Sequence, residues 1–470
     1  MAAAAKLAVV RTTTTHHRAC FPLAVSSATP VTVSLTSVTH KHEAATSAAA
    51  TATAVMKTEG AVAPPTLGGR AEATSSFPLL ASMWPEVHGA DDWRGLVAPL
   101  HPLLRGEIVR YGELVAACYR AFDLDPRSKR YLNCKHRKRQ MLQAVGMDGA
   151  GYAVTKYIYA AAPDAVAALP PVGAGAGRRP SCCKSRWIGY VAVASDGEAA
   201  RLGRRDILVS FRGTVTWSEW LANFMSALAP ARFDPAEPRP DVRVESGFLS
   251  LYTSEDVSGK FTTGSCRNQL LSEISRLVAE HRDEDVSITL AGHSMGSSLA
   301  ILLAYDLAEL GLNSYPNDSG TIPVTVFSFA GPRVGNLEFK NRCDELGVKV
   351  LRVVNVNDPV TKMPGVLFNE SASVLAGRYE LPWSKACYAH VGVEVALDFF
   401  EAGDIVCVHD LQAYIDQLLK CTNDDIAVAS SSMVGEEEEV MCRRVASMFE
   451  SWRWQMAVIR AGELMRVLGI

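Results

Sequence analysis

The chain has 470 residues, 48% of them hydrophobic and 21% charged, with a formal net charge of −3. That balance belongs to a globular protein with one large domain or two smaller ones. The small negative charge, with no dense basic stripe read along the chain, argues against a nucleic-acid-binding protein.

Residues 1–75 are dominated by Ala, Thr, Ser and Val. They carry scattered Lys6, Arg11, Arg18, Lys41 and Lys57, and the only acids before residue 70 are Glu43 and Glu59. This acid-poor, hydroxyl-rich start, without a compact apolar segment, reads as an organellar transit peptide. Its Ser and Thr content favours the plastid, with the mitochondrion second and an addressless disordered tail as the bland alternative. Ordered structure is expected from about Met83. Residues 83–160 read as a helical N-terminal part of the main domain, because from Glu107 onward Ile108, Tyr111, Leu114 and Tyr119 recur at roughly helical spacing. Residues 161–184, rich in Ala, Pro and Gly, read as a surface loop.

Strand candidates follow at residues 187–193, 207–211, 286–291, 324–330 and 350–356. Between the second and third, residues 266–282 put Leu270, Leu271, Ile274, Leu277 and Val278 on one helical face. Strands alternating with helices predict an α/β fold over residues 185–420, a mostly parallel sheet flanked by helices on both sides. Beyond Leu419 the pattern weakens. Residues 421–470 read as a tail with an acidic loop containing Glu436 to Glu439 and a helical stretch at 441–468. No stretch reads as a transmembrane helix, since the longest uncharged apolar window, residues 288–305, contains a turn. Eleven cysteines lie scattered without metal-ligand spacing, Cys182 and Cys183 adjacent, and read mostly as small apolar residues in a reducing compartment. No metal and no cofactor are expected.

The chemistry centres on Gly292-His293-Ser294-Met295-Gly296, a Gly-x-Ser-x-Gly pattern between the apolar run 286–291 and an Ala- and Leu-rich helix over residues 298–310. A serine on such a strand-to-helix turn is held exposed and strained, and glycines on either side let strand and helix approach. The Met295 N–H then points from the helix start towards a developing oxyanion. A serine needs a base, and the base an orienting acid. The acid candidate is Asp358, just past the apolar strand 350–356 and followed by Pro359; Asp344, Asp398, Asp404 and Asp410 are rivals. His409 and His390 are both candidate bases. His409 fits better, on a loop before a helix and after the last strand-like run, whereas His390 reads as a buried structural histidine. His293 is expected to point away from the nucleophile. A second oxyanion donor is expected from Phe211-Arg212-Gly213-Thr214, where Thr214 offers its N–H and hydroxyl. After it, Trp217, Trp220, Leu221 and Phe224 fall at helical spacing, which fits a lid over the site or a plain core helix.

Taken together these segments resemble the class 3 lipases, and most of all the plastid-targeted phospholipase A1 group of plants. The motifs are Trp84-Pro85-Glu86, Asp92-Trp93-Arg94-Gly95-Leu96, the stretch from Leu104 to Glu113, residues 187–193, Phe211 to Thr214, Gly292 to Gly296, Asn357-Asp358-Pro359-Val360 and His409-Asp410-Leu411. The resemblance covers roughly residues 83–420. It implies an α/β-hydrolase fold, a triad at Ser294, Asp358 and His409, an oxyanion residue at Thr214 with a lid after it, and cleavage of the sn-1 acyl ester of phospholipids or galactolipids at a membrane surface, with release of fatty acid for jasmonate synthesis. The unusual insertion at 161–180 and the region past the histidine motif depart from the family and bear on substrate preference. The residues by themselves support ester hydrolysis of an apolar acyl substrate. A triacylglycerol lipase, a lipid acyltransferase and a catalytically silent partner-binding relative are the alternatives.

Overall fold

The structure is a computed structural model and describes residues 70–161, 185–214, 227–255, 264–314, 320–364, 387–400 and 407–420. All of them belong to one compact unit, Leu67–Ile470. The described strands are β1 (Tyr152–Ala161), β2 (Ser185–Ala194), β3 (Arg205–Phe211), β4 (Leu228–Pro230), β5 (Arg243–Glu245), β6 (Val286–His293), β7 (Val324–Phe329), β8 (Gly335–Asn336), β9 (Lys349–Asn355), β10 (Tyr388–Ala389) and β11 (Val393–Leu397). The helices are α1 (Arg70–Val87), α2 (Pro102–Ala121), α3 (Met141–Ala144), α4 (Asp196–Leu202), α5 (Ser246–Thr253), α6 (Cys266–Glu280), α7 (Met295–Glu309), α8 (Leu337–Glu345) and α9 (Leu411–Lys420).

Seven strands form the main sheet in the order β1-β2-β3-β6-β7-β9-β11. The pairings from β3 through β11 are parallel, and β1/β2 and β2/β3 are antiparallel. This is the mostly parallel, helix-flanked sheet of an α/β hydrolase. The period-two alternation of each strand divides its side chains between two cores. Ile207, Val209, Ile288, Leu290, Val324 and Val326 face the layer that includes α6 and α7. Leu208, Ala291, Phe327, Phe329, Leu351 and Val353 face the layer of α1, α2 and α9. Helix α2 starts cleanly because Pro102 occupies its first turn, where a missing N–H costs nothing, and His101 Nδ1 accepts the Leu103 N–H at 3.2 Å. A small second sheet runs β10-β8-β5-β4.

Several sequence expectations need correction. Helix α1 begins at Arg70, ahead of Met83, because residues 70–82 contain helix formers but lack the large apolar stripe that marks a packed helix. Helix α7 begins at Met295, a turn before residue 298, since the small residues there favour close packing and not only a turn. The edge strands β1 and β11 had no place in the expected list; β1 is half-buried and contains Lys156, so its signal is mixed. A dense basic stretch also exists. Residues 127–139 carry seven Lys or Arg, all exposed, which an average over a chain of net charge −3 conceals. Cys118, Cys134, Cys266, Cys343 and Cys387 are buried free thiols. Ala161, the first residue of the expected loop at 161–184, ends β1; the rest of that loop, the lid candidates Trp217, Trp220, Leu221 and Phe224, Asp404, and residues 1–69 and 421–470 lie outside the described residues. No helix among the described residues is long and apolar enough to cross a membrane.

Candidate active site

Strand β6 is buried along its whole length, and Ser294 alone separates it from α7. Ser294 has φ 56° and ψ −125°, a conformation that costs a non-glycine residue about 1–3 kcal/mol. The surroundings hold it there. Its N–H donates to the Phe329 carbonyl at 2.9 Å, and Ser297 Oγ donates to the Gly292 carbonyl at 2.6 Å. Glycine is required on both sides by close approach. A Cβ at Gly292 would fall 2.3 Å from the Gly296 carbonyl, and one at Gly296 would fall 2.7 Å from the carbonyl oxygens of Phe211 and Arg212.

The structure brings Ser294, His409 and Asp358 together from three chain segments. His409 ends a short 3-10 turn before α9 and places Nε2 2.9 Å from Ser294 Oγ. Its Nδ1 lies 2.7 Å from Asp358 Oδ2. Asp358 is fully buried, and His409 keeps 20% of its side chain exposed. Asp358 Oδ1 accepts the Val360 N–H at 2.9 Å, and Oδ2 also accepts the Tyr414 hydroxyl at 3.0 Å. Tyr414 in turn accepts the Asn355 N–H at 2.9 Å. Burial first, and then the Asp358 charge, push the Tyr414 phenol well above its ordinary pKa, so it stays a donor. The Asn355 amide donates to the Phe399 and Val408 carbonyls, which ties the end of β9 to the chain that delivers His409.

The rival acids have other work. Asp344 pairs with Lys340 at 2.7 Å, Asp398 accepts from the Asn357 amide at 2.8 Å, and Asp410 caps α9 by accepting the Ala413 N–H at 3.1 Å. His390 sits beside Arg352 and Arg333 with a hydrogen bond to the Thr361 backbone. Burial, then those two charges, push its pKa well below the histidine range.

His293 is turned to a different task. Its Nδ1 accepts the Tyr119 hydroxyl at 2.7 Å, and its Nε2–H donates to the His409 carbonyl at 3.0 Å. Tyr119 itself accepts the Gly213 N–H at 2.7 Å. Neutral His293 with its proton on Nε2 satisfies this chain of bonds, with the Tyr119 hydroxyl donating to Nδ1. Burial first, and the neighbouring His409 next, lower the His293 pKa well below normal, which favours that form. The phenol at the end of α2 therefore links the loop after β3 to the backbone of His409.

That loop carries Thr214, whose hydroxyl donates to Met295 Sδ at 3.1 Å, a weak acceptor. No side chain caps the start of α7 at Ser294, so the helix presents its positive end to the serine. Arg212 anchors the loop from behind. It donates to the Trp187 and Gly213 carbonyls at 2.8 Å each, and its guanidinium lies 4.0 Å over the Phe122 ring. Burial lowers its pKa to about 10, so it remains charged at neutral pH. Tyr119, Tyr414, Asn355 and Arg212 escape sequence reasoning as site residues. Only Arg212 and Asn355 carry a signal, as polar residues beside the strand ends that deliver Thr214 and Asp358. Among the described residues no group of three or more His, Cys, Asp or Glu is placed to hold a metal ion. The arrangement sets a serine beside an imidazole, a carboxylate that orients that imidazole, and an uncapped helix start, a geometry suited to acyl transfer.

Comparison with known proteins finds lipases and phospholipases. The family model described as lipase (class 3) matches residues 208–368. The chain is 64% identical over 340 residues to phospholipase A1-Ialpha2, chloroplastic, of Arabidopsis thaliana, covering 72% of this chain and 69% of that one. It is 55% identical to phospholipase A1 EG1, chloroplastic/mitochondrial, of Oryza sativa subsp. indica, covering 90% and 94%. Galactolipase DONGLE, chloroplastic, of Arabidopsis thaliana is 59% identical, covering 76% and 74%. Among solved structures, a lipase from Rhizopus microsporus var. chinensis aligns at 20% identity and a TM-score of 0.37, over 64% of this chain and 76% of that one.

Proposed function

Because this chain belongs to the class 3 lipase family, in the group of chloroplastic phospholipases A1, we propose that Ser294, His409 and Asp358 cleave the sn-1 acyl ester of phospholipids or galactolipids at a membrane surface. The protein is a carboxylic-ester hydrolase of acyl lipids, and its compartment is the plastid. Residues 1–75 are the proposed transit peptide, and the fatty acid released is proposed to feed jasmonate synthesis. The observation that carries the mechanism is the continuous run from Ser294 Oγ to His409 at 2.9 Å and from His409 to Asp358 at 2.7 Å, beside an uncapped helix start.

Ser294 attacks the ester carbonyl as His409 Nε2 takes its proton. Asp358 holds the Nδ1–H and balances the imidazolium charge. The Met295 N–H and Thr214 receive the oxyanion; the weak bond from the Thr214 hydroxyl to sulfur is exchanged for one to charged oxygen. His409 then protonates the departing lysolipid oxygen, and water repeats the cycle on the acyl-enzyme. The segment with Trp217, Trp220, Leu221 and Phe224 is the proposed lid, covering the site in water and meeting lipid when open.

The test presents the protein and its Ser294→Ala variant with phosphatidylcholine, monogalactosyldiacylglycerol and triacylglycerol, each with different acyl groups by position. Serine-dependent release from the sn-1 position of the first two is expected, with a fall on the order of 10⁴–10⁶ in turnover for the variant. Folded protein that releases nothing in a serine-dependent way would move the reading to an acyltransferase or a silent relative.

A further inference from the structure

The basic excursion after α2 is unaccounted for by the chemistry above. Arg127, Lys129, Arg130, Lys135 and the run Arg137-Lys138-Arg139 are all exposed, against only Asp123 and Asp125 nearby in sequence. Asp125 pairs with Arg127 at 3.4 Å, and Asp123 is engaged by the Ser128 hydroxyl. Arg130, Lys135 and Lys138 donate to backbone carbonyls, and Lys129, Arg137 and Arg139 have no carboxylate partner among the described residues. Arg130, Lys135, His136 and Arg137, with Gln140 and Gln143, line a depression of about 410 Å³, which is the size of a small-molecule site.

Two further observations separate this from an ordinary solvated face. Leu124 is 50% exposed and Tyr131 37% exposed, so two of the six large apolar side chains exposed among the described residues stand within this one excursion. The excursion also lies at the catalytic end of the sheet. It leaves α2 at Phe122, three residues after the Tyr119 that bonds His293. The Phe122 ring carries Arg212 of the oxyanion loop, and the Leu132 carbonyl accepts the Trp187 N–H at 3.1 Å. Cations interleaved with exposed apolar and aromatic side chains are the composition that binds a lipid–water interface.

We propose that residues 124–139 are the surface by which this enzyme lands on a bilayer bearing anionic headgroups. The lysines and arginines meet the headgroup charge, and Leu124 and Tyr131 enter the acyl boundary. The proposal rests on the acyl-lipid hydrolase reading, since it sets the active-site rim against a substrate bilayer. Each basic residue near an anionic surface is worth about fivefold in partition at low salt, so removing three is expected to cost on the order of 100-fold, less as salt is raised.

The experiment measures binding of the full chain in a Ser294→Ala background to vesicles of phosphatidylcholine alone and of phosphatidylcholine with phosphatidylglycerol. The patch variant is K129Q/R137Q/R139Q. The control, R94Q/R282Q/K340Q, removes as many cations away from the patch. Hydrolysis of a water-soluble short-chain ester by each variant with Ser294 intact reports the catalytic centre separately. Expected are a salt-sensitive preference for the anionic vesicles, its loss in the patch variant alone, and equal soluble-ester turnover throughout. Equal binding by the patch variant and the parent, equal loss in the control, or no preference for anionic vesicles would overturn the proposal while leaving the triad untouched. Tighter binding to an unstructured RNA than to the anionic vesicles would overturn it in favour of a nucleic-acid surface. A parent chain that binds the vesicles as expected but shows no serine-dependent ester hydrolysis would sink the hydrolase reading and, with it, the role given to the patch.

Discussion

Two buried polar clusters sit at opposite ends of the same strands. At the C-terminal ends stand Ser294, His409 and Asp358 with Tyr414, His293 and Tyr119. At the N-terminal ends Asp206 accepts hydroxyls of Ser287, Thr289, Tyr111 and Tyr152 at 2.6–2.9 Å. Beside it His88 lies between Arg204, at 2.6 Å, and Glu107, which holds Arg110. Both clusters contain a histidine near a carboxylate, yet only the first is proposed to be catalytic. In the first, Ser294, the proposed nucleophile, has φ 56°, and His409, its proposed base, keeps 20% of its side chain exposed. In the second, His88, Glu107, Tyr111, Arg204 and Asp206 are all buried, and none has a positive φ. A buried histidine–carboxylate pair therefore says little about catalysis until exposure and backbone conformation are read with it.

The contrast can be broken by substitution. Asp358→Asn should lower turnover on the order of 10⁴-fold with melting temperature nearly unchanged, because it spoils the tautomer and charge balance of His409 and leaves the packing intact; steady-state kinetics beside a thermal melt would check both halves. Asp206→Asn should do the reverse. Burial alone would push the Asp206 carboxyl up, but Arg204, His88 and Arg110 together hold it below its usual range. Removing that charge is expected to cost about 3–5 kcal/mol of stability while kcat at a permissive temperature is retained, read by denaturant titration. A large loss of kcat in a folded Asp206→Asn protein would mean that the two ends are functionally coupled.

Acid should act through the second cluster as well. Burial first, and Arg204 next, push the His88 pKa down to about 4 from 6.5. Between pH 6.5 and 4 the unfolded chain thus binds the proton that the folded chain refuses, and stability falls as pH falls, by about 3 kcal/mol across that window. Melting temperatures at half-unit intervals should show the decline, and a His88→Gln variant should make it shallower, leaving the share of His293 and His390, whose pKa values burial also holds down. The smallest effect sharpens the first cluster. Tyr119→Phe leaves the Gly213 N–H and His293 Nδ1 without their shared partner and should lower kcat about tenfold with KM little changed. Equal changes in both, or a loss confined to stability, would reduce Tyr119 to packing.

Much of this is legible in the sequence. Apolar β-branched runs mark the central strands because those strands are buried on both faces, and the Gly-x-Ser-x-Gly turn marks the elbow because only glycine fits where an added Cβ would fall within 2.7 Å of a neighbouring carbonyl oxygen. The two tyrosines were not legible. Tyr119 lies 174 residues from His293 and Tyr414 lies 56 from Asp358, and in the sequence each is one more aromatic on a helix face. The edge strands were obscured by mixed exposure, and the basic excursion by averaging a local charge over a long chain.

Helix α2 has a further consequence. It lends Glu107 and Tyr111 to one cluster and Tyr119 to the other, and Gly112 between them brings it so close to the sheet that a Cβ there would lie 3.1 Å from Ile415 and 3.4 Å from Phe329. The stretch matched by the family model starts only at residue 208. A chimera built by grafting that stretch alone would carry Ser294 and Asp358 but lack both His409, which lies past its end at residue 368, and the Tyr119 phenol, which lies before its start. With the proposed triad, the unit to transfer therefore runs at least from α2, starting at Pro102, through His409.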